Sequence, residues 1–90
     1  MKETERKIMQ MFNALGDASR FNIFKILLNK KDICVSEIAD SLGITVSAVS
    51  QHLKILELSG LVTKHRNGQM ICYEIMRTDS FVKCVIKLFK

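Results

Sequence analysis

Ninety residues make one small domain, and 48% of them are apolar, more than a single core of that size absorbs. A formal net charge of +5 favours a polyanionic partner, and the lack of Pro and scarcity of Gly argue against long linkers. No apolar run could span a bilayer and "MKETERKIMQMF" lacks the apolar stretch of a secretory signal, so a cytoplasmic chain with reduced thiols is expected.

Ile8, Met11, Phe12 and Leu15 recur at helical spacing, which predicts a first helix over residues 3–15. Gly16 interrupts it, and Asp17 is placed to cap a second helix reaching Asn29, with Phe21, Phe24, Ile26, Leu27 and Leu28 as its apolar face. "NKKDICV" is a polar connection into a short apolar segment. Ser36 is the expected cap of a third, two-turn helix, which Gly43 ends in the left-handed conformation. Thr45 then caps a fourth helix that runs to Gly60. The three residues between these helices, opening on a glycine, have the length of a helix-turn-helix connection. Past Gly60 the period changes. "LVTKHR" and "MICYEI" read as two strands joined at Asn67-Gly68, a strong short-range signal for a hairpin. From Thr78 helical spacing returns, with Phe81, Val85, Leu88 and Phe89 on one face and Lys83, Lys87 and Lys90 on the other.

The charge is unevenly distributed. Residues 1–42 are nearly balanced, whereas between Gly43 and Ile71 Glu57 is the only acid. Within the fourth helix, Ser47, Ser50, Gln51 and Lys54 fall on one narrow polar stripe, and Val46, Val49, Leu53 and Leu56 fall opposite, toward the core. Short hydroxyls permit close approach, and Gln pairs with a base edge or a phosphate. Such a stripe suits a helix lying in the DNA major groove. The basic "KHRNGQ" tip of the hairpin would lie on the adjacent groove or backbone. The DNA-contacting residues expected on this reading are Thr45, Val46, Ser47, Ser50, Gln51, His52 and Lys54 from the helix, and Lys64, His65, Arg66, Asn67, Gly68 and Gln69 from the wing. The alternative is a winged-helix module that binds protein and not DNA. No Ser/His/Asp set, phosphate-binding glycine loop or paired carboxylates can be assembled, so an enzyme is not expected.

The whole pattern resembles the ArsR/SmtB family of winged helix-turn-helix repressors. The resemblance is carried by Ala14-Leu15-Gly16-Asp17 with Arg20, by Leu42-Gly43-Ile44, by Ser47, Ser50, His52, Leu53 and Lys54, by Gly60-Leu61-Val62, and by Tyr73 at the end of the wing. It implies a mainly α fold with a small β-hairpin, in the order ααααββα, and a single domain over 1–90. Within it, 36–59 form the helix-turn-helix, 61–76 the wing, and 1–15 with 78–90 the dimerisation helices. It further implies a homodimer on an inverted repeat near its own promoter, released by an effector. The apolar residues Ile8, Met11, Phe12, Phe81, Val85, Leu88 and Phe89 suit that dimer.

The resemblance does not extend to the family's metal ligands. Cys34 stands at the first position of a Cys-x-Cys pair, but Ser36 occupies the second. Asp79 matches the acid of a last-helix site, but Phe81 occupies the histidine position. Neither metal nor other cofactor is expected, and no membrane partner. A thiol pair of Cys34 with Cys84 is the candidate redox element.

Overall fold

The computed structural model describes residues 1–90. Five helices and three strands follow in the order α1 (Glu3–Leu15), α2 (Ala18–Asn29), β1 (Ile33–Cys34), α3 (Val35–Leu42), α4 (Val46–Leu58), β2 (Val62–Asn67), β3 (Met70–Ile75) and α5 (Ser80–Lys87). This is the winged helix-turn-helix fold, and no helix is long and apolar enough to cross a membrane.

Three helix junctions form as their sequence dictates. Asp17 accepts the Arg20 backbone N–H at 3.0 Å, and the Arg20 Nε donates to the Ala14 carbonyl at 2.7 Å, which fixes the turn between α1 and α2. Gly43 ends α3 with φ +68°, and Thr45 caps α4 by accepting from the Ala48 N–H at 3.0 Å. Gly60 takes φ +89° with its α-carbon facing Met11, so α4 turns into β2 directly against α1.

Four expectations need correction. The order is ααβααββα, because Ile33 and Cys34 form a short edge strand pairing antiparallel with β3 through Ile33↔Tyr73 and Cys34↔Cys72. Two residues are too short a run for periodicity to reveal. Ser36 lies inside α3 and does not cap it; Cys34 is the N-cap, and the Glu37 carboxylate accepts its backbone N–H. The hairpin turn is displaced by one residue. Asn67 pairs with Met70, leaving Gly68 and Gln69 as the loop, with Gly68 at φ +67° and Asn67 still in the strand. On α2, Ile23 is fully buried whereas Phe21 is 40% exposed, so that helix faces the core slightly differently than its aromatic residues suggest.

The core combines Met11 and Ala14 of α1, Ile23, Phe24 and Leu27 of α2, Ile38 of α3, the inner side of α4, and Val82, Val85 and Ile86 of α5. It extends onto one sheet face through Ile33, Val62, Tyr73 and Ile75. Cys34 and Cys72 project from the other sheet face, with their Sγ atoms 2.9 Å apart and buried. The bond shared with Cys72, aided by burial, pushes the Cys34 thiol up to about 11.

At the other end of the chain, α5 is only eight residues long and depends on Asp79. The Asp79 carboxylate accepts the N–H groups of Phe81 and Val82 at 2.9 and 3.1 Å and the Lys7 ammonium at 3.0 Å. One side chain therefore caps α5 and ties it to α1. The Lys7 bond foremost, and the capped N–H groups after it, hold the Asp79 carboxyl below the usual carboxylate range.

Asp79→Ala is expected to lower the unfolding free energy by about 1–2 kcal/mol, as loss of a helix cap does; an unchanged urea midpoint would show that the cap contributes nothing. A second expectation concerns alkali. Because folded Cys34 holds its proton to about 11 while the unfolded thiol releases it near 9.0, the folded state binds more protons between these values. Stability should therefore decline as pH rises from 9, and Cys34→Ser should flatten the part below 10, before Tyr73, also raised by burial, contributes. Urea titrations across that range decide it.

Candidate nucleic-acid interface

Helix α4 is clamped in rotation by Val49, Leu53 and Leu56, each with 0% of its surface exposed. The opposite side presents Ser47, Ser50, Gln51 and Lys54, all exposed, and none takes part in a side-chain hydrogen bond or ion pair within the chain. Thr45 and Val46 are exposed at the leading end of the same helix. Val46 thus belongs to the outer surface, correcting its placement on the core side: it sits in the first turn, beyond the reach of the core below Val49.

His52 behaves differently from its neighbours. Its ring turns back toward the N-terminus of α2, with Nδ1 buried and 4.0 Å from the Asp17 carboxylate. Asp17 is held below the usual carboxylate range, first by the Arg20 backbone N–H. The residues from Ala14 to Arg20 and His52 thereby form one joint between α1, α2 and α4, whose role is to seat the helix.

The wing residues divide by strand alternation. Lys64 and Arg66 are exposed and continue the sheet face that carries Val62, Tyr73 and Ile75 into the core. His65 and Asn67 point from the opposite face, the one that carries Cys34 and Cys72. Gly68 and Gln69 form the exposed tip. His65 is drawn away from the tip: its Nε2 lies 2.9 Å from Asp32 Oδ1, and its Nδ1 lies 3.9 Å from Glu74 Oε1. In the sequence His65 belongs to the basic tip, and nothing there singles out Asp32 or Glu74. Its neighbour across the sheet is 33 positions away in the chain, and the strand that brings Asp32 near was not recognised.

A second surface lies between α1 and α5. Ile8, Met11, Phe12, Phe81, Val85 and Leu88, with Cys84, line an apolar groove of about 370 Å³. An adjoining groove of about 330 Å³ runs past Phe12, Leu15, Phe21 and Phe89. Phe12 is 59% and Leu88 75% exposed, a large outlay of apolar surface for so small a domain. Phe89 is engaged within the chain, stacked 5.0 Å from Phe21 and 5.3 Å from Phe24. Cys84 stands on this exposed helix face, whereas the thiol that Cys34 meets is Cys72. The expected Cys34–Cys84 partnership is therefore replaced by a cross-strand one.

Residues 17–64 match the model of the bacterial regulatory protein, arsR family. The chain is 36% identical over 86 residues to an uncharacterised HTH-type transcriptional regulator of Methanocaldococcus jannaschii, covering 96% of this chain and 94% of that one. It is 36% identical over 73 residues to the arsenical resistance operon repressor of Bacillus subtilis, covering 81% of this chain and 70% of the other. Among solved structures it is similar to HlyU of Vibrio cholerae, with a TM-score of 0.84 at 29% identity over 99% of this chain and 94% of that one; HlyU is a transcriptional activator. Longer arsenical and cadmium resistance regulators also match, and the chain spans 60% and 54% of their lengths.

Proposed function

The chain belongs to the arsR family of bacterial regulatory proteins, and on that premise we propose that it works in the cytoplasm as a homodimeric repressor on an inverted-repeat operator of its own or a neighbouring operon. It is a DNA-binding transcription regulator. The observation that carries the detailed reading is the outer stripe of α4. Two hydroxyls, a carboxamide and an ammonium stand in line on a helix that the core cannot let rotate, with nothing in the chain to bond them. In the major groove, Ser47, Ser50 and Gln51 meet base edges, and Lys54 meets phosphate. Thr45 and Val46 approach the backbone at the helix N-terminus, where the dipole favours an anion. On the wing, Lys64 and Arg66 lie on the sheet face that continues the core, and with the Asn67–Gln69 tip they take the backbone or adjacent groove. His52 and His65 are left to seat α4 and the wing.

The dimer forms through α1 and α5. The grooves between them offer an apolar surface for a second copy to cover, and a two-fold axis there would give the paired recognition helices an inverted repeat needs. Repression follows the naming of the Bacillus subtilis relative as an operon repressor; activation, the role named for HlyU, is the contrary outcome.

Fluorescence anisotropy on DNA from upstream of the gene, against a scrambled duplex across a salt series, tests the reading. Specific binding at one dimer per site supports it, and absence of binding at low salt would move the protein-interaction module into its place. Ser47→Ala and Gln51→Ala should each change base preference, costing about 1–3 kcal/mol at the base they contact. Arg66→Ala should weaken all sequences alike and lower the salt slope by about one. If Arg66→Ala changed sequence preference, the division between helix and wing would be wrong. Phe12→Glu should give a monomer by sedimentation and abolish operator binding; a dimer retained in Phe12→Glu and in Leu88→Glu would place the interface elsewhere.

A further inference from the structure

Asp32, His65 and Glu74 come from three parts of the chain and meet on the sheet face opposite the core. Asp32 immediately precedes β1, His65 is on β2 and Glu74 on β3. One ligand-capable atom from each lies within 4.8 Å of the other two. Asp32 is the only non-glycine residue with positive φ, at +53°, and its carboxylate faces the imidazole. Two carboxylates share this one imidazole, and His65 Nδ1 is buried without a hydrogen-bond partner.

We propose that Asp32, His65 and Glu74 form a binding site for a divalent metal of the zinc type, at the root of the wing. Tetrahedral zinc takes imidazole nitrogen and carboxylate oxygen at about 2.0–2.2 Å, which sets ligand atoms roughly 3.4 Å apart. From a spacing of at most 4.8 Å, a side-chain adjustment of about 1.4 Å or less suffices. The ion's two positive charges balance the two carboxylates, and the imidazole binds neutral. Three protein ligands leave a fourth position for water. Magnesium and calcium fit less well, since they seek oxygen ligands in larger number. The side chains are 36% to 55% exposed, so a hydrated ion can enter without unfolding the sheet. Binding would clip the start of β1 to both strands of the hairpin. The site stands apart from the DNA reading, because its side chains belong neither to the stripe on α4 nor to the sheet face of Lys64 and Arg66.

Zinc alone is the probe, titrated into the reduced, untagged full chain at neutral pH in competition with a chromophoric chelator. One zinc per chain is expected. Asp32→Asn, His65→Gln and Glu74→Gln should each weaken it about tenfold or more, since even outer-shell changes cost that much. Cys84→Ser and the Cys34→Ser/Cys72→Ser pair should leave it unchanged. Zinc K-edge absorption of the wild type gives a reading that needs no variant and should show a nitrogen and oxygen shell only. Sulfur in that shell, affinity indifferent to His65→Gln, or no zinc taken from the chelator would each overturn the site and leave His65 as an ion-pair partner of Asp32.

Discussion

The orientation of α4 about its own axis is the constraint on which the functional surface depends. Val49, Leu53 and Leu56 recur at three- and four-residue intervals and are fully withdrawn from water. A turn of the helix large enough to hide the serine stripe would expose all three, at about 1.5–3 kcal/mol each. Together that is about 4.5–9 kcal/mol, a large part of the roughly 5–15 kcal/mol that keeps a small domain folded. The reading face is thus held rigid from behind, by hydrophobic burial, and needs no bond of its own. His52 and Asp17 add a polar stop on one flank, while Gly60 allows the chain to leave against α1.

The same arithmetic bears on α1 and α5. Much of their apolar surface is used inside the chain, through Met11, Ala14, Val82, Val85 and Ile86. What remains, from Ile8 to Leu88, is excess that a core of this size has no means to cover. Asp79 makes that face coherent: by capping α5 and holding Lys7, it sets the two helices side by side before any partner arrives. A pre-arranged face loses less conformational freedom on association than one that must assemble as it binds.

Elements with long periodic patterns were legible in the sequence. All five helices, both caps at Asp17 and Thr45 and the left-handed Gly43 follow from residue type and spacing. Much of what was missed shares one physical character: it depends on contacts between segments far apart in the chain. The strand β1 is two residues long and exists because β3 offers it a free edge. The role of Cys34 as cap follows from that strand, and so does the loss of Ser36 from that role. The basic wing looked like one cluster, but strand alternation sends Lys64 and Arg66 one way and His65 the other. Val46 shows the limit of helical periodicity near a terminus, where the angle is right and the core has already ended. The cysteine pairing could not be read from spacing, because Cys34 and Cys72 are neighbours only through register.

Cys34 is at once the last residue of β1 and the residue that opens α3, so no free backbone separates strand from helix. This junction bears on how the chain can vary in length. Elsewhere connections have slack: Gly68-Gln69 is an exposed tip where added residues would extend the loop and disturb little. An insertion between Cys34 and Val35 has nowhere to bulge. It would either rotate α3 by about 100° and carry Ile38 out of the core, or slip β1 by one residue and reverse the faces of Ile33 and Cys34. The fold can therefore lengthen at its wing tip, but its count of residues is fixed where strand becomes helix.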